Sequence, residues 1–104
     1  MIKELLPNEN FEDLTKVGVS LVDFNATWCG PCKMLHPHLE EVSKELTDIQ
    51  FISVDVDKHP QLAANFNIRA VPTLFLIKDG RPLKATTGYM DSNAIKNFIN
   101  EALD

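Results

Sequence analysis

Apolar residues along the chain fall into two kinds of run. Val19–Phe24 and Phe51–Val56 are nearly continuous in apolar and β-prone side chains, the pattern of strands covered on both faces. From Pro31 to Leu46 the period changes: Leu35, Leu39, Val42 and Leu46 recur at i, i+4, i+7 and i+11, the stripe of an amphipathic helix. Cys32 precedes Leu35 on that stripe and is expected to face inward. Pro37, inside the helix, removes the donor for the Lys33 carbonyl and predicts a bend. A short helix is expected near Phe11 and Leu14, capped by Asn8, and another over Pro60–Phe66. Thr73–Ile77 and Pro82–Thr86 flank Asp79-Gly80, a strong hairpin signal, with Pro82 suited to an outer strand. The chain closes on a helix capped near Asp91 or Ser92, with Ile95, Phe98 and Ile99 inward. Residues 2–5 offer a short edge strand. Strands alternate with helices and then pair as a hairpin, which predicts an α/β sandwich with a mixed sheet and helices on both faces.

Composition narrows the class. The 104 residues, 44% hydrophobic and 24% charged, suit a single globular domain over 1–104 that needs no staples. A net charge of -5, with ten scattered basic residues, argues against a nucleic-acid partner. The opening residues lack the basic-then-apolar order of a secretory signal, and no run of about 18 apolar residues offers a membrane span. The expected compartment is the cytoplasm, where thiols are mostly reduced.

Candidate chemistry gathers around Trp28-Cys29-Gly30-Pro31-Cys32, which holds both cysteines of the chain where a strand gives way to a helix. Unpaired N–H groups and aligned peptide dipoles at a helix start favour a thiolate, so Cys29 is expected to be acidic and reachable. Cys32 lies nearly one turn later, within disulfide reach. Pro31 fits the first turn, and Gly30 leaves room for another chain's sulfur. Such a pair can attack a disulfide through Cys29 and resolve it through Cys32. Two plainer readings compete: zinc held by Cys29, Cys32, His36 and His38, and inert packing of the thiols. Zinc is disfavoured because His36 falls about 40° and His38 about 240° around the helix from Cys32.

Asp23 interrupts an apolar run, so it either points to water or, if buried, has a raised pKa and can take the proton of Cys32. Pro72, opening a strand, reads from spacing alone as a trans turn residue.

The segments "VDFNATWCGPCKML", "VDVDKHPQLAANFNIRAVPTLFLIKDG" and "TTGY" together resemble the thioredoxin family in order and spacing. The resemblance implies a central mixed five-stranded sheet flanked by four helices. It also implies reduction of protein disulfides by a monomer without bound cofactor, the redox-active group being a Cys29–Cys32 disulfide that a flavin-containing thioredoxin reductase recycles. Carried over, Cys29 matches the attacking thiol, Cys32 the resolving thiol and Asp23 the buried acid beneath them. Trp28 matches the ring bordering the site, and Gly30 and Pro31 the dipeptide that accompanies a reducing poise. Pro72 matches a cis-proline, against the reading from spacing; Val71 matches a residue whose backbone pairs with the client, and Gly88 a glycine that keeps the docking surface flat.

Two positions depart from the family pattern. Asn25 stands where an aromatic residue is usual, so a polar amide must be satisfied there, and Ser53 stands where many bacterial members carry Lys. Without that cation the Asp23 pKa is expected to rise further. His36 adds a pH-dependent charge nearby. Rival functions are a dedicated electron donor to one enzyme, a redox-silent subunit, and an oxidising isomerase, the last disfavoured by Gly30-Pro31.

Overall fold

A computed structural model describes residues 1–104. Its five strands, β1 (Ile2–Glu4), β2 (Val19–Asn25), β3 (Ile49–Asp55), β4 (Thr73–Lys78) and β5 (Arg81–Thr87), form one sheet in the order β1-β3-β2-β4-β5. β1, β3 and β2 run parallel, and β4 and β5 are antiparallel to their neighbours, so the sheet is mixed. β2 lies at the centre because both its faces are apolar: Leu21 packs on one side and Val22 and Phe24 on the other.

The four helices are α1 (Phe11–Thr15), α2 (Gly30–Glu45), α3 (Pro60–Asn65) and α4 (Ser92–Leu103). On one face, Leu35, Leu39 and Val42 of α2 and Ile95, Phe98 and Ile99 of α4 close over Leu21, Phe51, Leu74 and Leu76. On the other, Phe11 of α1 joins Val22, Phe24, Ile52, Val54 and Ile77, with Leu62 and Phe66 beside them. The arrangement is the expected α/β sandwich. α2 runs through Pro37 without a break, and α4 is capped by Asp91, whose Oδ1 accepts from the Ala94 amide at 2.9 Å.

The cap of α1 differs from expectation. Asn10, not Asn8, accepts from the Asp13 amide, at 3.0 Å. Phe11 must enter the core at the first helical position, which leaves Asn8 in a turn closed by the Glu9 amide on the Leu6 carbonyl. The buried partner of Phe11 on this helix is Thr15, whose hydroxyl donates to the Phe11 carbonyl, while Leu14 stays half-buried. The hairpin follows from Asp79 and Gly80, both at positive φ (50° and 81°), as a two-residue primed turn requires.

Candidate functional site

β2 ends at Asn25, and residues 26–28 carry the chain to α2. Cys29 is the N-cap of that helix, with extended backbone (φ -93°, ψ 113°), and its Sγ accepts from the Cys32 amide at 3.2 Å. A sulfur thus takes the place a cap oxygen usually holds. Pro31 falls in the first turn, where its missing N–H leaves nothing unpaired. Cys29 and Cys32 are joined as a disulfide with Cα atoms 5.3 Å apart. In this closed form the two cysteines are covered almost equally, at 5% and 6% exposure, so the expected contrast between a reachable and a hidden thiol is absent from burial. Their surroundings differ instead. Cys29 sits at the helix start, where amide hydrogens and the peptide dipoles concentrate positive charge, whereas Cys32 is on the buried stripe of α2.

Around Cys29 the fold assembles residues distant in sequence. The Val71 carbonyl oxygen lies 3.7 Å from Cys29 Sγ, and the Val71–Pro72 peptide bond is cis, as the resemblance implied and spacing alone did not. The Gly88 amide donates to the Pro72 carbonyl at 2.8 Å, tying the end of β5 to this loop. Gly88 has φ of 107°, a conformation that side-chain-bearing residues rarely adopt. Gly30 faces open space, with no atom within 4 Å of where a Cβ would stand. Trp28 is 69% exposed, and its indole N–H donates to Asp57 Oδ2 at 2.9 Å.

Asp57 carried no local signal in the sequence, because its partner is 29 positions away. Also unanticipated is a chain beside Gly88. Tyr89 Oη lies 2.8 Å from His38 Nε2, and His38 Nδ1 lies 3.0 Å from Ser92 Oγ.

Asp23 points inward and is 3% exposed. It shares a crevice of about 180 Å³ with Asn25, Cys32, His36 and Ser53. Burial pushes its carboxyl up to about 6, while the Asn25 amide and the charge of His36 pull the other way. Asn25 Nδ2 donates to Asp23 Oδ2 at 3.0 Å and to Ser53 Oγ at 2.7 Å, which satisfies the amide left in question by the sequence. Asp23 Oδ1 has no hydrogen-bond partner. His36 therefore borders the acid's crevice, whereas His38 turns to Tyr89 and Ser92, and the two imidazoles diverge. A larger cleft of about 490 Å³, lined by Phe11, Phe66, Ile77 and Pro82, contains no cysteine.

The chain is similar throughout its length to known proteins. The family model described as Thioredoxin matches residues 3–101. The thioredoxin of Chlamydia trachomatis serovar D is 38% identical over 98 residues, 94% of this chain and 96% of that protein. That of Bacillus subtilis is 36% identical over 97 residues, 92% of this chain and 93% of the relative. Among solved structures, oxidised mitochondrial thioredoxin 3 of Saccharomyces cerevisiae superposes with a TM-score of 0.85 at 35% identity, covering 95% of this chain and 94% of the other. Oxidised thioredoxin from Plasmodium falciparum gives 0.85 at 33% identity, covering 97% of each.

Proposed function

The chain belongs to the thioredoxin family of thiol–disulfide oxidoreductases, and we propose that it reduces protein disulfides generally, with Cys29 attacking and Cys32 resolving. The observation that carries this assignment is the Cys32 amide donating to Cys29 Sγ at the start of α2. In the reduced protein that N–H and the helix dipole favour the thiolate at Cys29 over the thiol.

The Cys29 thiolate attacks one sulfur of a client disulfide, and the second client sulfur leaves as a thiolate. Cys32 then loses its proton to the Asp23 carboxylate and attacks Cys29 Sγ. The remaining client sulfur departs, so the client gains two electrons and the protein keeps the Cys29–Cys32 disulfide. Asp23 suits its part because burial holds its carboxyl near 6, closer to neutrality than an ordinary carboxylate.

Trp28, Val71, Pro72 and Gly88 form the rim on which an extended client segment docks by backbone pairing. Gly30 and Pro31 keep the approach to Cys29 free of side-chain bulk and of an unpaired amide. Support for this rim comes from the Val71 carbonyl 3.7 Å from Cys29 Sγ and the Gly88–Pro72 hydrogen bond. The same reading has residues 1–104 act as one monomeric domain in the cytoplasm, with no cofactor bound beyond the redox-active disulfide. A flavin-containing thioredoxin reductase returns the electrons. No helix is long and apolar enough to cross a membrane.

Insulin reduction with dithiothreitol, run beside a Cys32→Ser variant, tests the proposal. The wild-type chain is expected to turn over, and the variant to accumulate mixed disulfides through Cys29 with many client proteins. Capture of a single partner would favour a dedicated donor, and equal, slow alkylation of both thiols at neutral pH would overturn the division of roles.

A further inference from the structure

Asn25 and Ser53 lie outside the thiol pair and its rim, yet Asn25 gives the Asp23 carboxyl its one side-chain hydrogen bond and Ser53 accepts from the same amide. Asp23 and Asn25 are two apart on β2 and so share a face of the sheet. Ser53 is the register partner of Asp23 on β3 and shares that face too. The Asn25 amide has two hydrogens and three acceptors in reach: Ser53 Oγ at 2.7 Å, Asp23 Oδ2 at 3.0 Å and the Asp23 carbonyl at 3.2 Å. Ser53, the nearest, anchors the amide; the carboxyl oxygen takes what the anchored amide presents.

We propose that Asn25, held by Ser53, is a positioning residue that sets the proton affinity of Asp23, by binding one carboxyl oxygen and leaving the other free to take a proton. The inference rests on Asp23 being the acceptor for the Cys32 proton. A hydrogen bond given to a carboxylate stabilises its charged form, opposing the effect of burial. Because Asn25 and Ser53 are both neutral, they do this without adding a charge to the crevice. The bond to Oδ2 also fixes the plane of the carboxyl. Oδ1, which the amide does not bind, is the atom without a partner, and Asp23 lines one crevice with Cys32. The charged groups around Asp23 are His36 and Lys33 of α2, which line the same crevice, and the buried Asp55, register partner of Asn25 on β3 and so on the same sheet face. Its strand partners Ser53 and Leu74 are uncharged.

The test titrates Asp23 itself in the oxidised protein, through its carboxyl carbon resonance. It is done in a His36→Gln background so that the imidazole does not enter the curve. Asn25→Leu, which donates nothing, is expected to raise the Asp23 midpoint by about one pH unit. Ser53→Ala, which frees the amide, should raise it by less. In a mixed disulfide of Cys29 with thionitrobenzoate, attack by Cys32 releases the coloured thiolate, and the acid limb of that rate should move upward with the titration. An unchanged or lowered Asp23 midpoint in Asn25→Leu, with Ser53→Ala also silent, overturns the role of Asn25 whatever the kinetics. A raised midpoint without a matching shift in the rate profile leaves Asn25 as the tuner but removes Asp23 as the proton acceptor.

Discussion

Replacing Asp23 by Asn should make the oxidised protein more stable at neutral pH, by an amount that grows as pH rises to about 6 and is then constant. Burial holds the Asp23 carboxyl at about 6 against an ordinary 3.8, so the folded chain binds this proton more tightly than the unfolded chain. Each pH unit of that difference is worth about 1.36 kcal/mol, which makes the ionised carboxylate cost the fold about 3 kcal/mol. Below 3.8 the carboxyl is protonated in both states and the cost vanishes. Between 3.8 and about 6 the unfolded chain has lost the proton and the folded chain has kept it, so stability falls as pH rises. Above that window the penalty is constant. An Asn at this position does not titrate, so the stability of Asp23→Asn relative to wild type should increase by about 2 kcal/mol between pH 4 and pH 8, since at pH 4 the unfolded carboxyl has already begun to ionise. Comparing two pH values cancels pH-independent effects, such as the amide hydrogens that Asn brings where Oδ1 has no partner. Urea unfolding followed by the emission of Trp28, the one tryptophan, with the disulfide intact, measures the difference. At a slope of roughly 1–3 kcal/mol per molar urea, the midpoint difference between wild type and variant should widen by about 1–2 M over that range. Stability curves that stay parallel from pH 4 to pH 8 would refute the reasoning, and with it the claim that Asp23 is poised to exchange a proton near neutrality.

Gly88→Ala tests the backbone beside the docking rim. A Cβ there meets no atom within 4 Å, so the cost is conformational, roughly 1–3 kcal/mol for a φ of 107°, seen as a lower thermal midpoint together with slower reduction of protein clients. Leu35→Ala removes a fully buried side chain between the sheet and α2 and should cost about 2–5 kcal/mol in urea unfolding. If Leu35→Ala lost less than about 1 kcal/mol, the packing of α2 would not be what holds the cysteine turn in place.

What the sequence determined by itself is local: where the hydrophobic period changes, which residues start and stop helices, and the placing of two thiols at a strand-to-helix junction. Leu35, Leu39 and Val42 had to share a helix face, and Asp79-Gly80 had to turn, because these follow from a few consecutive residues. The same local logic misplaced the cap of α1, since Asn8 and Asn10 are equally good caps and only the burial of Phe11 separates them. The tertiary structure decided whatever depends on residues far apart meeting. It turned Asp23 to the face of the sheet that α2 covers, and the resulting burial raised its carboxyl. It set Ser53 across from Asp23, which gave Asn25 an anchor, and it brought Val71 and Gly88 to the cysteine turn. The physical reason is that burial and hydrogen-bond partnership are properties of register and packing. A shift of one residue in the pairing of β2 would move Asp23 and Asn25 to the opposite face, away from Ser53 and Cys32, with the amino-acid sequence unchanged.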